Sequence, residues 1–140
     1  MTTKKKWTFL DFGSDNTNYI EDWYQKELSE QAQDKFDDMF KHIQNVEFCR
    51  DWPCYKREIK GQPGSEKIWE LKFDADKKAF RILGIFVRGE EKKALLLIGC
   101  YKKKMRGYHP KSALKTASKR AKLYREGKAT IYERQIEEDL

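Results

Sequence analysis

Three short apolar segments in close succession decide the fold, and their sequences are Ile68-Trp69-Glu70-Leu71-Lys72-Phe73, Ala79-Phe80-Arg81-Ile82-Leu83-Gly84-Ile85-Phe86-Val87 and Ala94-Leu95-Leu96-Leu97-Ile98-Gly99-Cys100-Tyr101. Their lengths, and the polar connections 74–78 and 88–93, are typical of strands joined by hairpin loops. Four cations follow the third segment directly: Lys102, Lys103, Lys104 and Arg106. The pattern therefore predicts an antiparallel meander that carries positive charge to one end of a sheet. The third segment is apolar on both sides, which predicts a central position with helices on one face.

Helical patterns flank this meander. On its N-terminal side, Asn18 and Glu21 have the spacing of a capping box, and Ser29 is a suitable N-cap for a second helix. Apolar residues recur at intervals of three and four through both segments, which predicts a helical hairpin with an acidic outer face.

A third helix is expected over residues 110–126, between Pro110 and Gly127. Ala113, Ala117 and Ala121 belong to its apolar stripe. Lysines lie on its other side, at Lys111, Lys115, Lys119 and Lys122.

The remaining segments are shorter or less regular. Residues 7–10 favour a first strand that ends at the turn-like cluster 11–14, and residues 48–67 predict a strand or only a loop. Residues 130–132 suggest a small edge strand, followed by an acidic mobile tail at about 133–140. A chain of 140 residues suits one domain. The expectation is a single α+β domain over residues 1–140, in which the N-terminal strand joins the meander in an antiparallel sheet.

Charge is distributed unevenly along the chain. The net charge is +7, and 38% of the residues are charged. Residues 15–47 contain three basic and nine acidic side chains, whereas residues 99–128 contain eleven basic and one acidic. Such polarity indicates a functional basic face, and a phosphate backbone is its natural counterpart. The alternative is a lysine-rich helix that is merely solvated.

The three cysteines, Cys49, Cys54 and Cys100, are an odd number with no secretory signal before them, so reduced thiols and a cytoplasmic location are expected. The longest apolar stretch, residues 94–100, is too short to span a bilayer, and no membrane role is expected.

Candidate site residues cluster at the basic end of the predicted meander. Lys72, Arg81 and the cluster at 102–106 can converge, because neighbouring strands lie only about 5 Å apart. Arg81 interrupts an apolar segment and therefore needs either an open face or a partner. The sequence leaves two alternatives for it, a functional role or an ion pair with Glu70 across the strands.

Tyr108 and His109 lie next to this cluster in the sequence. Either side chain can stack on an unpaired base, and either can transfer a proton when a ribose 2′-hydroxyl attacks its own phosphate. The alternatives are that the neighbouring Tyr101 only packs in the sheet and that His109 only precedes the helix. The basic half has no grouping of Asp and Glu suited to two-metal chemistry, so no metal and no cofactor are expected.

The order of elements resembles the RelE/ParE superfamily of toxins from type II toxin–antitoxin modules, and more closely the HigB-like and phage-derived branch. The matching residues are 59–61, 68–73, 80–84, 96–103, Pro110 and a helix containing Ala117 and Arg120. The resemblance covers about residues 57–126.

The resemblance implies a small RelE-like fold and a toxin that enters the ribosomal A site and cleaves mRNA. It also implies a cognate antitoxin, often a helix-turn-helix protein. By position, Lys72 and Arg81 match cationic residues of the family's second and third strands, and Lys102 and Lys103 match its paired lysines. The segment 104–109 is longer than the family's usual connection to the helix, and Tyr108 or His109 within it is expected to assist proton transfer.

The resulting hypothesis is a metal-independent endoribonuclease with catalytic residues Lys72, Arg81, Tyr108 and His109. RNA would be bound by Lys102, Lys103, Lys104, Arg106, Lys115, Lys119 and Lys122. Two other functions are compatible with the same fold, a non-catalytic RNA- or ribosome-binding module and a ParE-like gyrase inhibitor.

Overall fold

A mixed sheet with helices on both faces forms the part of the chain that this computed structural model describes, residues 5–57, 59, 67–103 and 107–137. Its strands are β1 (Thr8–Ser14), β2 (Thr17–Asn18), β3 (Trp69–Ala75), β4 (Lys78–Phe86), β5 (Lys93–Lys103), β6 (Gly107–His109) and β7 (Thr130–Glu133). Its α-helices are α1 (Tyr19–Glu27), α2 (Glu30–Ile43) and α3 (Ala113–Arg125). The α+β class predicted from the sequence is confirmed.

The sheet is built around β5. The strand order is β2-β1-β5-β4-β3, with β6 paired to β5 and β7 paired to β1. The meander and the central position of β5 agree with the sequence prediction. The prediction that the N-terminal strand joins an antiparallel sheet was wrong at one pairing, because β1 runs parallel to β5.

A β-bulge interrupts the pairing of β4 with β5. Leu83 pairs with Ile98 and Gly84 pairs with Leu96, so Leu97 is the extra residue on β5. Arg120 of α3 donates a hydrogen bond from Nη1 to the Leu97 carbonyl at 2.8 Å. The side chain of Arg120 thus supplies a partner to a backbone group that the bulge removes from the ladder.

Helices cover the two faces of the sheet separately. On one face, here called the hairpin face, α1 and α2 contribute Ile20, Phe36 and Phe40 to a core that includes Trp69 and Phe80. On the opposite face, the α3 face, the small residues Ala113, Ala117 and Ala121 let the helix approach Leu83 and Leu97 closely. The helical hairpin thus covers one face of the sheet, as the sequence predicts, and α3 covers the opposite face.

Local capping signals agree with the helix starts in the N-terminal half. The Asn18 side chain accepts a hydrogen bond from the Glu21 backbone at 2.9 Å, and Ser29 Oγ accepts one from the Ala32 backbone at 3.1 Å. The third helix begins at Ala113 and not at residue 110, so Lys111 precedes it.

Two predictions about terminal segments were wrong. The first strand does not end at residue 10, because residues 11–14 continue β1 to the turn at Asp15 and Asn16, both of which have positive φ. The predicted edge strand at 130–132 is present as β7, but residues 134–137, the described part of the segment after it, do not form a free tail. Arg134 is buried against the core, and Ile136 packs on it. Residues 138–140 lie outside the described part.

The irregular segment between α2 and β3 contains a short 3₁₀ turn, Cys49–Asp51, and one bridge from Lys56 to Glu70. Trp52 is buried beside Trp7 and Trp69. Within the described residues this segment is therefore mainly a loop that adds aromatic side chains to the core.

Candidate nucleic-acid interface

Strand register sets which predicted site residues are neighbours. Lys72 of β3 lies opposite Arg81 of β4, and Arg81 lies opposite Cys100 of β5. Opposite residues of antiparallel strands project from the same face. Lys72, Arg81 and Cys100 therefore share the α3 face, as does Tyr108, which lies opposite Lys102.

Arg81 is buried and paired. Its Nε donates to Glu70 Oε1 at 3.0 Å, and its side chain is only 10% exposed. The Tyr108 hydroxyl donates to the other carboxylate oxygen, Glu70 Oε2. The ion pair that the sequence allowed is thus present, and Tyr108 joins it to form a three-residue network.

Burial and the nearby Glu70 charge keep two groups, the Tyr108 hydroxyl and the Cys100 thiol, in their protonated forms. Burial raises the pKa of Tyr108 well above its ordinary value, and its hydrogen bond to Glu70 raises it further. Burial, with the Glu70 charge nearby, also raises the pKa of the Cys100 thiol to about 12. At neutral pH both groups are protonated, so Tyr108 acts as a hydrogen-bond donor and not as a base.

A basic cavity opens at the end of the sheet beside this network. It has a volume of about 470 Å³ and is lined by five cations, Lys77, Lys78, Arg81, Lys102 and Lys103, with Asp74 and Ala79. Lys77 lies in the two-residue turn between β3 and β4, where it and Asp76 have positive φ. This hairpin brings lysines from the start of β4 next to those at the end of β5. The cavity is therefore suited to an anion with several oxygens.

The predicted RNA-binding lysines divide into two groups. Lys102 and Lys103 line the basic cavity, and Lys102 Nζ also lies 5.1 Å from the centre of the Tyr108 ring. Lys104 and Arg106 lie outside the described residues. Lys115, Lys119 and Lys122 are exposed on α3.

Two predicted catalytic residues lie apart from the cavity lining. Lys72 is half-buried on the α3 face, beside Arg81 in register but not in contact with the cavity. His109 lies opposite Tyr101, which places it on the hairpin face, away from Tyr108. Tyr108 and His109, which the sequence offers as alternatives for proton transfer, therefore lie on opposite faces of the sheet, because successive residues of a strand project to opposite faces.

His109 lines a second, smaller cavity. Its ring centre is 4.8 Å from that of Tyr101, and Lys78 Nζ lies 5.0 Å above the Tyr101 ring. The cavity has a volume of about 180 Å³ and also contacts Trp23 and Glu27. Lys78 lines both cavities, so they are neighbours at the same end of the sheet.

Several of these residues were not predicted as site residues. Lys77 and Lys78 were assigned only to a connecting turn, although the sequence shows two adjacent cations there. Trp23 was expected only in the apolar face of a helix. Glu70 was expected only as a partner for Arg81. Its hydrogen bond from Tyr108 depends on β6, a strand that was not predicted from the sequence.

The described residues contain neither a group of metal ligands nor a membrane-spanning helix. In the described ranges, no group of three or more His, Cys, Asp or Glu side chains is arranged to hold a metal ion. No helix among these residues is both long and apolar enough to cross a bilayer.

Comparison with known protein families identifies the chain more closely. The family model described as phage-derived protein Gp49-like (DUF891) matches residues 24–122. The chain belongs to this family. The matched part of this Gp49-like protein contains the Glu70–Arg81–Tyr108 network, the basic cavity and the lining of the smaller cavity except Trp23, whereas β1 and β7 lie outside it.

The Gp49-like family is associated with RelE-like toxins, which agrees with the coarser part of the sequence resemblance. No curated protein matches the chain, and no solved structure does. The assignment to the HigB-like branch stays a prediction.

Proposed function

We propose that this Gp49-like protein is the toxin of a type II toxin–antitoxin module, of the HigB-like branch, and that it cleaves mRNA in the ribosomal A site without a metal ion. The observation that carries the proposal is the basic cavity, which is lined by five cations from β4, β5 and the β3–β4 turn and by one acidic side chain. Clustered cations of this kind neutralise phosphates and release their counterions.

The chemistry requires a site that stabilises charge at phosphorus. A ribose 2′-hydroxyl attacks the adjacent phosphate, the bond to the 5′-oxygen breaks, and the products are a cyclic phosphate and a 5′-hydroxyl. Lys102 and Lys103 would hold the reacting phosphate and its neighbour. Arg81 would stabilise the additional negative charge from the cavity wall, supported by the positive charge of Lys72.

Proton transfer is assigned to His109. Tyr108 is protonated and donates a hydrogen bond to Glu70. Its role in the proposal is therefore to position Glu70 and, through Glu70, Arg81. His109 is exposed beside Lys78, at the same end of the sheet as the basic cavity. A neutral imidazole there would accept the proton from the 2′-hydroxyl, and the departing 5′-oxygen would take its proton from solvent water.

Two macromolecular partners belong to the proposal. mRNA in the ribosomal A site would be the substrate, and a cognate antitoxin, of the helix-turn-helix kind, would neutralise the toxin. The exposed lysines Lys115, Lys119 and Lys122 would contribute to docking by attracting an acidic partner surface or ribosomal RNA.

The test is expression of the chain in a bacterial cell, followed by mapping of transcript ends. Wild-type protein should stop growth and produce cuts in mRNA that require translation. The double variant Lys102→Ala/Lys103→Ala should lose cutting, while the matched double variant Lys26→Ala/Lys35→Ala, in exposed lysines of α1 and α2, keeps it. Normal growth and intact transcripts in the presence of folded wild-type protein would refute the proposal.

A second candidate is a non-catalytic RNA- or ribosome-binding module. The observation that favours it is the nearly complete burial of Arg81 and its pairing with Glu70, which leave this guanidinium less free to meet a phosphate. Such a module would bind RNA with salt-dependent affinity but release no cleavage products, and Lys102→Ala/Lys103→Ala would weaken binding alone.

A further inference from the structure

The small cavity on the hairpin face has walls that suit a flat ring. Tyr101 and His109 form one wall, with ring planes tilted by 36°. Trp23 lies on the sheet over Gly99, where an added Cβ would come within 2.1 Å of the indole ring. Glycine at this position is therefore what allows Trp23 to approach the sheet so closely.

The size of the cavity restricts its ligand. Its volume of about 180 Å³ corresponds to roughly six water molecules. Pockets that enclose whole small-molecule ligands are larger, about 300–1,000 Å³. The cavity therefore has space for one heterocycle and not for a complete nucleotide.

Its polar groups restrict the ligand further. Glu27, the last residue of α1, offers carboxylate oxygens that accept hydrogen bonds, and Lys78 is a cationic donor at the boundary with the basic cavity. Guanine has two adjacent donors, N1–H and the N2 amino group, that fit a carboxylate. It also has two acceptors, O6 and N7, that fit a lysine. Adenine and uracil lack this combination, and the amino group of cytosine offers only half of it.

We propose that this cavity, lined by Trp23, Glu27, Lys78, Tyr101 and His109, is a guanine-binding subsite for an unpaired base whose phosphate occupies the neighbouring basic cavity. The inference rests on the proposed function in one respect, that RNA is the ligand. The base stacks on the aromatic side chains, Glu27 accepts from its N1–H and N2 amino group, and Lys78 donates to O6 or N7.

The experiment measures binding and not cleavage. Guanosine monophosphate, adenosine monophosphate and inorganic phosphate are titrated separately into isotope-labelled full-length protein, and the NMR signals of the Trp23 indole and of His109 are followed. Guanosine monophosphate should shift these signals at a lower concentration than adenosine monophosphate does, and phosphate alone should leave them in place.

Two variants complete the test. Glu27→Gln should weaken guanosine monophosphate binding about ten- to a hundredfold, with little effect on adenosine monophosphate. The matched control Glu30→Gln removes an exposed carboxylate just beyond α1 and should change neither. Equal affinity for the two nucleotides, or an unchanged preference in Glu27→Gln, would overturn the inference.

Failure of this inference differs from failure of the proposed nuclease. If transcripts are cut but Glu27→Gln keeps the wild-type nucleotide preference, the guanine subsite is refuted and the nuclease stands. If guanosine monophosphate binds selectively through Glu27 and no transcript is ever cut, the subsite stands and the nuclease is refuted.

Discussion

Replacing Arg134 with methionine tests whether the segment after β7 is part of the folded core. The guanidinium lies 2.8 Å from Asp11 and 3.0 Å from Glu21, and it also lies over the rings of Tyr24 and Phe36, at 4.9 and 5.0 Å. Methionine keeps much of the apolar contact but removes the charge.

The expected loss in the free energy of unfolding comes mainly from Asp11, whose side chain is only 2% exposed. Removing one partner of a buried ion pair costs about 3–5 kcal/mol, because the other charge stays buried. The partner Glu21 is 41% exposed and adds little. Domains of this size are stable by about 5–15 kcal/mol, so Arg134→Met should lower the melting temperature by on the order of 10 °C.

The loss should depend on pH in a defined direction. Burial raises the pKa of Asp11, while Arg134 and Asn18 oppose that rise. Without Arg134 the pKa of Asp11 rises further, so the folded variant holds a proton that the unfolded chain releases, and its stability falls as pH increases through this window. The free-energy loss should therefore be larger at about pH 7 than at about pH 4, where Asp11 is protonated in the folded variant.

Urea unfolding at the two pH values measures this difference. The control is Lys128→Met, which removes one positive charge from an exposed pair with Glu126 at 3.8 Å and should cost less than about 1 kcal/mol. If Arg134→Met is no more destabilising at neutral pH than Lys128→Met, the segment after β7 is not anchored and the argument from burial is wrong.

Three further predictions concern the candidate interface. Lys102→Ala/Lys103→Ala should reduce the slope of log RNA affinity against log salt concentration by roughly 2, which filter binding at several salt concentrations would measure. An unchanged slope would mean that neither lysine contacts phosphate. Gly99→Ala should destabilise the protein and alter Trp23 fluorescence, because the new methyl group occupies the place of the indole ring; a wild-type emission spectrum and melting temperature would contradict this. At about pH 8 the buried Cys100 thiol should react with a maleimide far more slowly than the other two cysteines, since its pKa is about 12, and mass spectrometry of the labelled peptides would reveal any early modification.

Local signals in the sequence predicted local structure well. The side chains of Asn18 and Ser29 cap helices through hydrogen bonds that span three residues, so the nearby sequence contains all that is needed. The meander was also predictable, because residues 68–101 alternate between apolar segments and short polar connections. The α+β class followed from these two patterns together.

Pairings between distant segments were not predictable in the same way. Asp11 and Gly13 favour turns on their own, yet β1 continues through them because Asp11 pairs with Arg134 and Gly13 allows Thr17 to approach closely. An added Cβ at Gly13 would lie 2.3 Å from the Thr17 carbonyl oxygen. Likewise, the pattern of apolar and polar residues in β1 and β5 does not indicate that the two strands pair in parallel.

The candidate site was predicted in part for the same reason. Arg81, Lys102 and Lys103 were placed near one another because they follow from the meander. The separation of Tyr108 from His109 was missed because β6 is only three residues long, begins at Gly107 and ends just before Pro110, so the sequence shows no apolar–polar alternation there. The network of Glu70 with Tyr108 joins residues 38 positions apart and depends on that strand.

The position of β1 between β5 and β7 has a consequence for the order of folding. Asp11 and Arg134 are 123 positions apart, so a strand made early in synthesis obtains its antiparallel partner β7 and its buried counter-charge only after residue 134 has been made. Contacts of such long sequence separation slow folding, because the loop must close before the contact contributes. A nascent chain would therefore complete its sheet only after β7 has left the ribosomal tunnel, and until then β1 would lack the strand that pairs with residues 10–13.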